Sequence, residues 1–138
     1  MRIVYRSKTK DAVIANVLCQ LTKLRPEELT AVGQNGKITR KREIVEVRHL
    51  TYYFYKEFFP LASLEKISHR ALGLDQGHST VIHAITCVEN RLSWDYRFAD
   101  VVQKLRVLVR AELSNYHDIE ITEDMVRAVN MFNNCASL

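Results

Sequence analysis

GHSTVIHAI, residues 77–85, places Gly77 ahead of three small or planar polar side chains, His78, Ser79 and Thr80, and then turns apolar at Val81, Ile82 and Ile85. The spacing predicts a helix from about His78 to Leu92, with Val81, Ile82, Ile85, Val88 and Leu92 inside. A shorter helix is expected just upstream, with Ser63 as N-cap, Leu64, Ile67 and Ala71 inward, and Gly73 as its stop. GLDQG (73–77) is the turn between them.

Working outward, the same helical period recurs. Val13, Ile14, Val17, Leu18 and Leu21 make one stripe, predicting a helix from about Lys10 to Leu24 with Asp11 in its first turn. RPEEL (25–29) reads as a helical turn opened by Pro26, and AVGQNGK (31–37) as a loop. A long helix should begin between Thr39 and Arg42 and end before Pro60, facing inward with Ile44, Val47, Thr51, Phe54 and Phe58. Downstream, Ser93 or Trp94 is expected to start a helix to about Leu113, carrying Val101, Val102, Leu105, Leu108 and Val109. Thr122 then caps a last helix to about Cys135. The fold class expected is all-α.

An apolar fraction of 47% with only four glycines and two prolines excludes wholesale disorder. No apolar run approaches the ~20 residues that span a bilayer, and the N-terminus lacks a signal peptide's apolar core, so a cytoplasmic protein with no membrane partner is expected. Cys19, Cys87 and Cys135 show no C-x-x-C spacing and are expected as buried reduced thiols. His78 and His83 lie roughly 140° apart around a helix, so they share no metal. GQNGKI (33–38) lacks the spacing and the Ser/Thr of a phosphate loop, and no nucleophile elbow or His-Glu-x-x-His occurs. Neither an enzyme nor a metal, nucleotide or other cofactor is expected.

Charge is uneven. Residues 1–60 hold twelve Lys/Arg against six Asp/Glu, whereas residues 61–138 hold eight against ten. Lys37, Arg40, Lys41 and Arg42 gather at the start of the long helix, where cations oppose the macrodipole. A solvated loop is one reading; an arm reaching phosphates or a minor groove explains the unfavourable placement better. Helix, turn, and a second helix fronted by small polar groups is the layout of a helix-turn-helix DNA reader. The alternative for His78–Thr80 is a plain helix cap.

Together these segments resemble the C-terminal DNA-binding domain of the bacterial replication initiator DnaA. The resemblance rests on TRKREIVEVRH (39–49), YYFYKE (52–57), SLEKI (63–67), Leu72-Gly73 and HSTVIHA (78–84), with NVLCQLTKLRPEEL (16–29) as lead-in, and covers about residues 10–93. It implies a Trp repressor-like helix-turn-helix that binds double-stranded DNA. Carried over by position, Arg40 is the minor-groove arginine, with Lys41 and Arg42 beside it. Arg48 and Lys56 hold phosphates, Leu64 lies near the backbone, and His78, Ser79 and Thr80 make the recognition-helix contacts. Gln76-Gly77-His78 stands where the family has Arg-Asp-His, His49 replaces a common glutamine, and the segment 63–78 is about two residues longer; Gln76 and His49 therefore also fall on the reading surface.

Two units are expected: a DNA-binding unit over residues 1–93, and a helical extension over 94–138 that packs on it or forms a homodimer interface. The family's ATPase domain has no counterpart in these residues. The expected function is sequence-specific, non-catalytic binding of double-stranded DNA, in transcriptional regulation or control of replication initiation, at the nucleoid. The rival is a protein-protein interaction module on the same fold that has lost DNA.

Overall fold

The computed structural model describes residues 10–38 and 40–115. Within them the protein is all-α, with six helices: α1 (Val13–Thr22), α2 (Pro26–Leu29), α3 (Arg42–Phe58), α4 (Leu64–Leu72), α5 (His78–Leu92) and α6 (Tyr96–Leu113). One antiparallel bridge, Val32 to Ile38, closes the glycine loop. The helix expected from Thr122 to Cys135 lies outside the described residues. No described helix is long and apolar enough to cross a membrane.

Helix α3 is the central element, packed on α1, α2, α4 and α5. Its inward face is Ile44, Val47, Thr51 and Phe54, as the period predicts, with Phe58 half-buried. Tyr52 and Tyr55 widen that face. The Tyr55 hydroxyl donates to Asp11 Oδ1 at 2.7 Å, tying α3 to the 3₁₀ turn that leads into α1. Burial, reinforced by that bond, raises the Tyr55 pKa well above the ordinary tyrosine value.

Helix α1 stops two residues earlier than the apolar stripe implied. Lys23 turns left-handed at φ 62°, and Leu24 N–H donates back to Cys19 O at 3.1 Å. Leu21, expected inside, is exposed, and no described helix covers that flank. Ile82 on α5 is likewise an outward residue, while Val81, Ala84 and Val88 take the interior. Cys19 is buried and its thiol is pushed up to about 11, chiefly by burial, whereas Cys87 is only half-buried. Cys135 lies outside the described residues.

Helix α6 begins later than expected, at Tyr96. Asp95 is its N-cap and accepts the Phe98 N–H at 3.1 Å. The helix packs on α1 and α5, and Val102 and Val109 are fully buried in the common core. Arg106 reinforces this from the side, its Nε 2.8 Å from Glu57 and its Nη2 donating to Tyr53 Oη at 3.0 Å. Val101 and Leu108, on the same predicted stripe, are exposed.

Val109→Ala is expected to destabilise the fold by about 2 kcal/mol through lost burial and a residual cavity. Val101→Ala should change stability by less than about 0.5 kcal/mol, the range of ordinary surface substitutions. Urea unfolding of the two variants measures both, and equal effects would contradict the orientation of α6.

Candidate nucleic-acid interface

Helices α4 and α5 with residues 73–77 form a helix-turn-helix, and the turn is held from within. Gly73 ends α4 in the left-handed region at φ 70°, its N–H donating to His69 O at 2.8 Å. Leu74 N–H then reaches Ser68 O at 3.1 Å. The buried Ser68 hydroxyl lies 2.8 Å from Gln76 O and 3.0 Å from Leu74 O as donor, and accepts the Gln76 N–H at 3.1 Å. The Tyr52 hydroxyl donates to Gln76 Oε1, linking the turn to α3. Tyr52 is buried, which pushes its hydroxyl up to about 12 and keeps it a donor.

Gly77 is the N-cap of α5. No side chain makes a capping bond there, so His78, Ser79 and Thr80 lie inside the helix rather than at its cap. All three side chains are exposed and make no hydrogen bond within the described residues. The first turn of α5 carries no acidic residue. Its leading N–H groups and three short polar side chains therefore open together onto solvent, an arrangement able to bond phosphate oxygens and base edges.

The remaining candidates divide by position. Arg40 is exposed in the approach to α3, Lys41 is the exposed N-cap of that helix, and Arg42 is its first residue. Arg42 Nε lies 3.2 Å from Glu46 Oε1, and Arg91 Nη1 lies 3.6 Å from the same oxygen. Since Arg91 ends α5, α3 and α5 run antiparallel. The cations thus sit at the opposite end of α5 from His78–Thr80.

Arg48, expected at a phosphate, is instead only 5% exposed, its Nε donating to Leu29 O at 2.6 Å. Burial works against its charge and lowers its pKa. Lys56 Nζ donates to Pro60 O and Ala62 O, both at 2.9 Å, closing the chain reversal after α3. Leu64 is half-buried against the core, and Gln76 faces the turn lock described above. His49 is half-buried, its ring edge-on to His83 of α5 with centroids 6.0 Å apart. Sequence period could place Arg48 on α3, but its bond to α2 crosses nineteen residues. Among the described residues no cluster of His, Cys, Asp and Glu could hold a metal ion.

Comparison with known proteins bears out the resemblance. The chain is 30% identical over 105 residues to the chromosomal replication initiator protein DnaA of Wolbachia sp. subsp. Brugia malayi (strain TRS), an alignment covering 76% of this chain and 22% of that relative. It is 37% identical over 71 residues to DnaA of Wolbachia pipientis wMel, covering 51% and 15%. The chain thus spans about a fifth or less of the length of the curated relatives it matches. No family model matches it, and no solved structure matches it at significance.

Two outcomes follow from the geometry of this region. Ser68→Ala removes the acceptor of the Gln76 N–H and should cost about 1–3 kcal/mol, the penalty of an unsatisfied buried group, read by urea unfolding. His49 is held below the ordinary histidine value of 6.5 by burial, then by the neighbouring His83 and Arg48 charges, with Glu46 opposing. Its contribution to stability is therefore complete above pH 6.5 and declines as pH falls below it, because the unfolded chain takes up the proton first. Stability measured from pH 7 to pH 5 should decline less steeply in His49→Gln; an unchanged slope would place the titration elsewhere.

Proposed function

We propose that this relative of DnaA binds double-stranded DNA without catalysis, seating α5 in the major groove. His78, Ser79 and Thr80 meet base edges and phosphates there, with Leu64 near the backbone, while Arg40, Lys41 and Arg42 reach the adjacent minor groove and its phosphates. One observation carries the reading. The exposed polar front of α5 and the cationic approach to α3 lie at opposite ends of one rigid antiparallel pair. With 15 residues at about 1.5 Å rise, α5 separates them by about 22 Å. That is of the order of the half-turn of about 17 Å that separates neighbouring grooves on one face of B-DNA.

In this reading Arg48 acts from inside, by joining α3 to α2, rather than as a phosphate contact. Lys56 keeps one N–H donor beyond the two carbonyls it already serves, enough for one phosphate. His49 and Gln76 tune the surface by holding α5 and its turn against α3. The role is sequence-specific recognition in replication-initiation control or transcriptional regulation, in the cytoplasm at the nucleoid. The exposed Val101 and Leu108, two turns apart on α6, supply an apolar strip on which a homodimer would pair. That pairing is checked by sedimentation of the full chain against Val101→Glu/Leu108→Glu.

Selection of bound duplexes from a randomised pool, followed by anisotropy titration, tests the reading. Affinity should fall steeply with salt, with a log–log slope of about −0.9 per phosphate neutralised. Arg40→Ala should weaken all sequences alike and flatten that slope by about one unit. Ser79→Ala should instead reduce discrimination between selected and scrambled duplexes by about 1–3 kcal/mol. Absence of duplex binding at low salt would overturn the proposal.

A further inference from the structure

Among the described tryptophan, tyrosine and phenylalanine residues, seven are buried or half-buried; the other two, Trp94 and Tyr96, are 68% and 89% exposed. They flank Asp95 at the corner between α5 and α6, and the corner is rigid. Ser93, Trp94 and Asp95 N–H groups all donate back to the end of α5, at 3.2, 3.3 and 2.9 Å. Asp95 Oδ2 is 3.1 Å from Arg91 Nε, and the Arg91 guanidinium lies 4.1 Å from the Phe98 ring centroid. The fold draws little burial from these two aromatic side chains, yet it bonds their backbone into the corner.

The corner is also next to cations. Arg91 shares Glu46 Oε1 with Arg42, so Asp95, Arg91, Glu46 and Arg42 form one continuous chain of ion pairs. That chain brings Trp94 and Tyr96 to the end of the molecule where Arg40, Lys41 and Arg42 gather, with the exposed Arg97 beside Tyr96. Of the carboxylates at this corner, Glu46 and Asp95 are engaged by arginines, while Glu43 and Glu89 stay exposed and are outnumbered by Arg40, Lys41, Arg42, Arg91 and Arg97. Exposed aromatic faces beside positive charge are the recognition chemistry of unpaired nucleotides: bases stack on the rings while the cations track the phosphates. A base in an intact duplex is already stacked and offers no such face.

We propose that the Trp94–Tyr96 corner, together with Arg40, Lys41, Arg42 and Arg97, is a second nucleic-acid site that takes unpaired bases of single-stranded DNA. It lies at the far end of α5 from the helix-turn-helix front. It shares Arg40, Lys41 and Arg42 with the duplex reading, so the two nucleic acids compete for those cations, but the Trp94–Tyr96 pair belongs to this site alone and its test does not require the duplex reading to hold.

Trp94 is the sole tryptophan of the chain, so its fluorescence reports this corner and nothing else. Titrating the full chain with oligothymidylate of about 15 nucleotides should quench that emission saturably. Tyr96→Ala should weaken the titration about tenfold, and Trp94→Ala should weaken binding of labelled oligothymidylate by a similar factor, as loss of a stacked base predicts. Both variants should keep the wild-type melting temperature. Ser79→Ala should leave single-strand binding unchanged, and duplex affinity followed in parallel shows separately whether the helix-turn-helix reading holds. Unquenched Trp94 at saturating oligothymidylate would overturn the site and leave the aromatic pair to a protein partner. Wild-type binding by both aromatic variants would overturn it as well, reducing single-strand affinity to the cations alone.

Discussion

The geometry of the helix-turn-helix depends on one buried hydroxyl. Ser68 is a side chain of α4, yet its partners are the backbone of residues 74 and 76, beyond the turn. It acts as donor and acceptor in the same place, which fixes the path of the chain into Gly77 and hence the direction in which α5 starts. Tyr52 then ties the Gln76 amide to α3. A turn held only by its own backbone would leave the angle between α4 and α5 soft. Here three helices agree on it, so His78, Ser79 and Thr80 are presented by a rigid body rather than a loop, which lowers the ordering cost of any contact they make.

The same economy appears around α3. Its interior face includes polar groups whose bonds reach distant segments: Arg48 to the end of α2, Tyr55 to Asp11 before α1, Tyr53 to Arg106 of α6. Each is satisfied, as buried or half-buried polar groups must be. Arg48, which sequence alone offers as a phosphate contact, is thereby drawn into architecture. A basic residue on a helix adjoining a DNA-binding motif has two uses, and burial decides between them. Arg40, Lys41 and Arg42 remain exposed, where α3 begins.

Helix α6 shows how far the common core extends. Val102 and Val109 lie among the residues of α1, so the core that supports the helix-turn-helix includes the segment after residue 93. Its other face, with Val101 and Leu108, is left to solvent, and its first turn leaves Tyr96 outside. One amphipathic helix thus closes the fold on one side and offers apolar and aromatic groups on the other.

Period and punctuation in the sequence were sufficient for the helices themselves. Val13–Leu18, Ile44–Phe54, Ile67–Ala71 and Val81–Val88 recur at helical spacing, Pro26 opens α2, and Gly73 ends α4, because these are local consequences of backbone geometry. Sequence also placed the polar front of α5 and the cationic approach to α3, since both are contiguous stretches. Which flank of each stripe is covered was not local information. Leu21 and Ile82 satisfy the period yet face solvent, because coverage depends on where neighbouring helices pass. The start of α6 moved to Tyr96 because Asp95 can bond the Phe98 N–H there while Arg91 holds its other oxygen. Arg48 and Gln76 turned out to be ties between segments for the same reason: their partners lie on other helices, and only the folded chain brings a side chain and a distant carbonyl or hydroxyl within bonding distance.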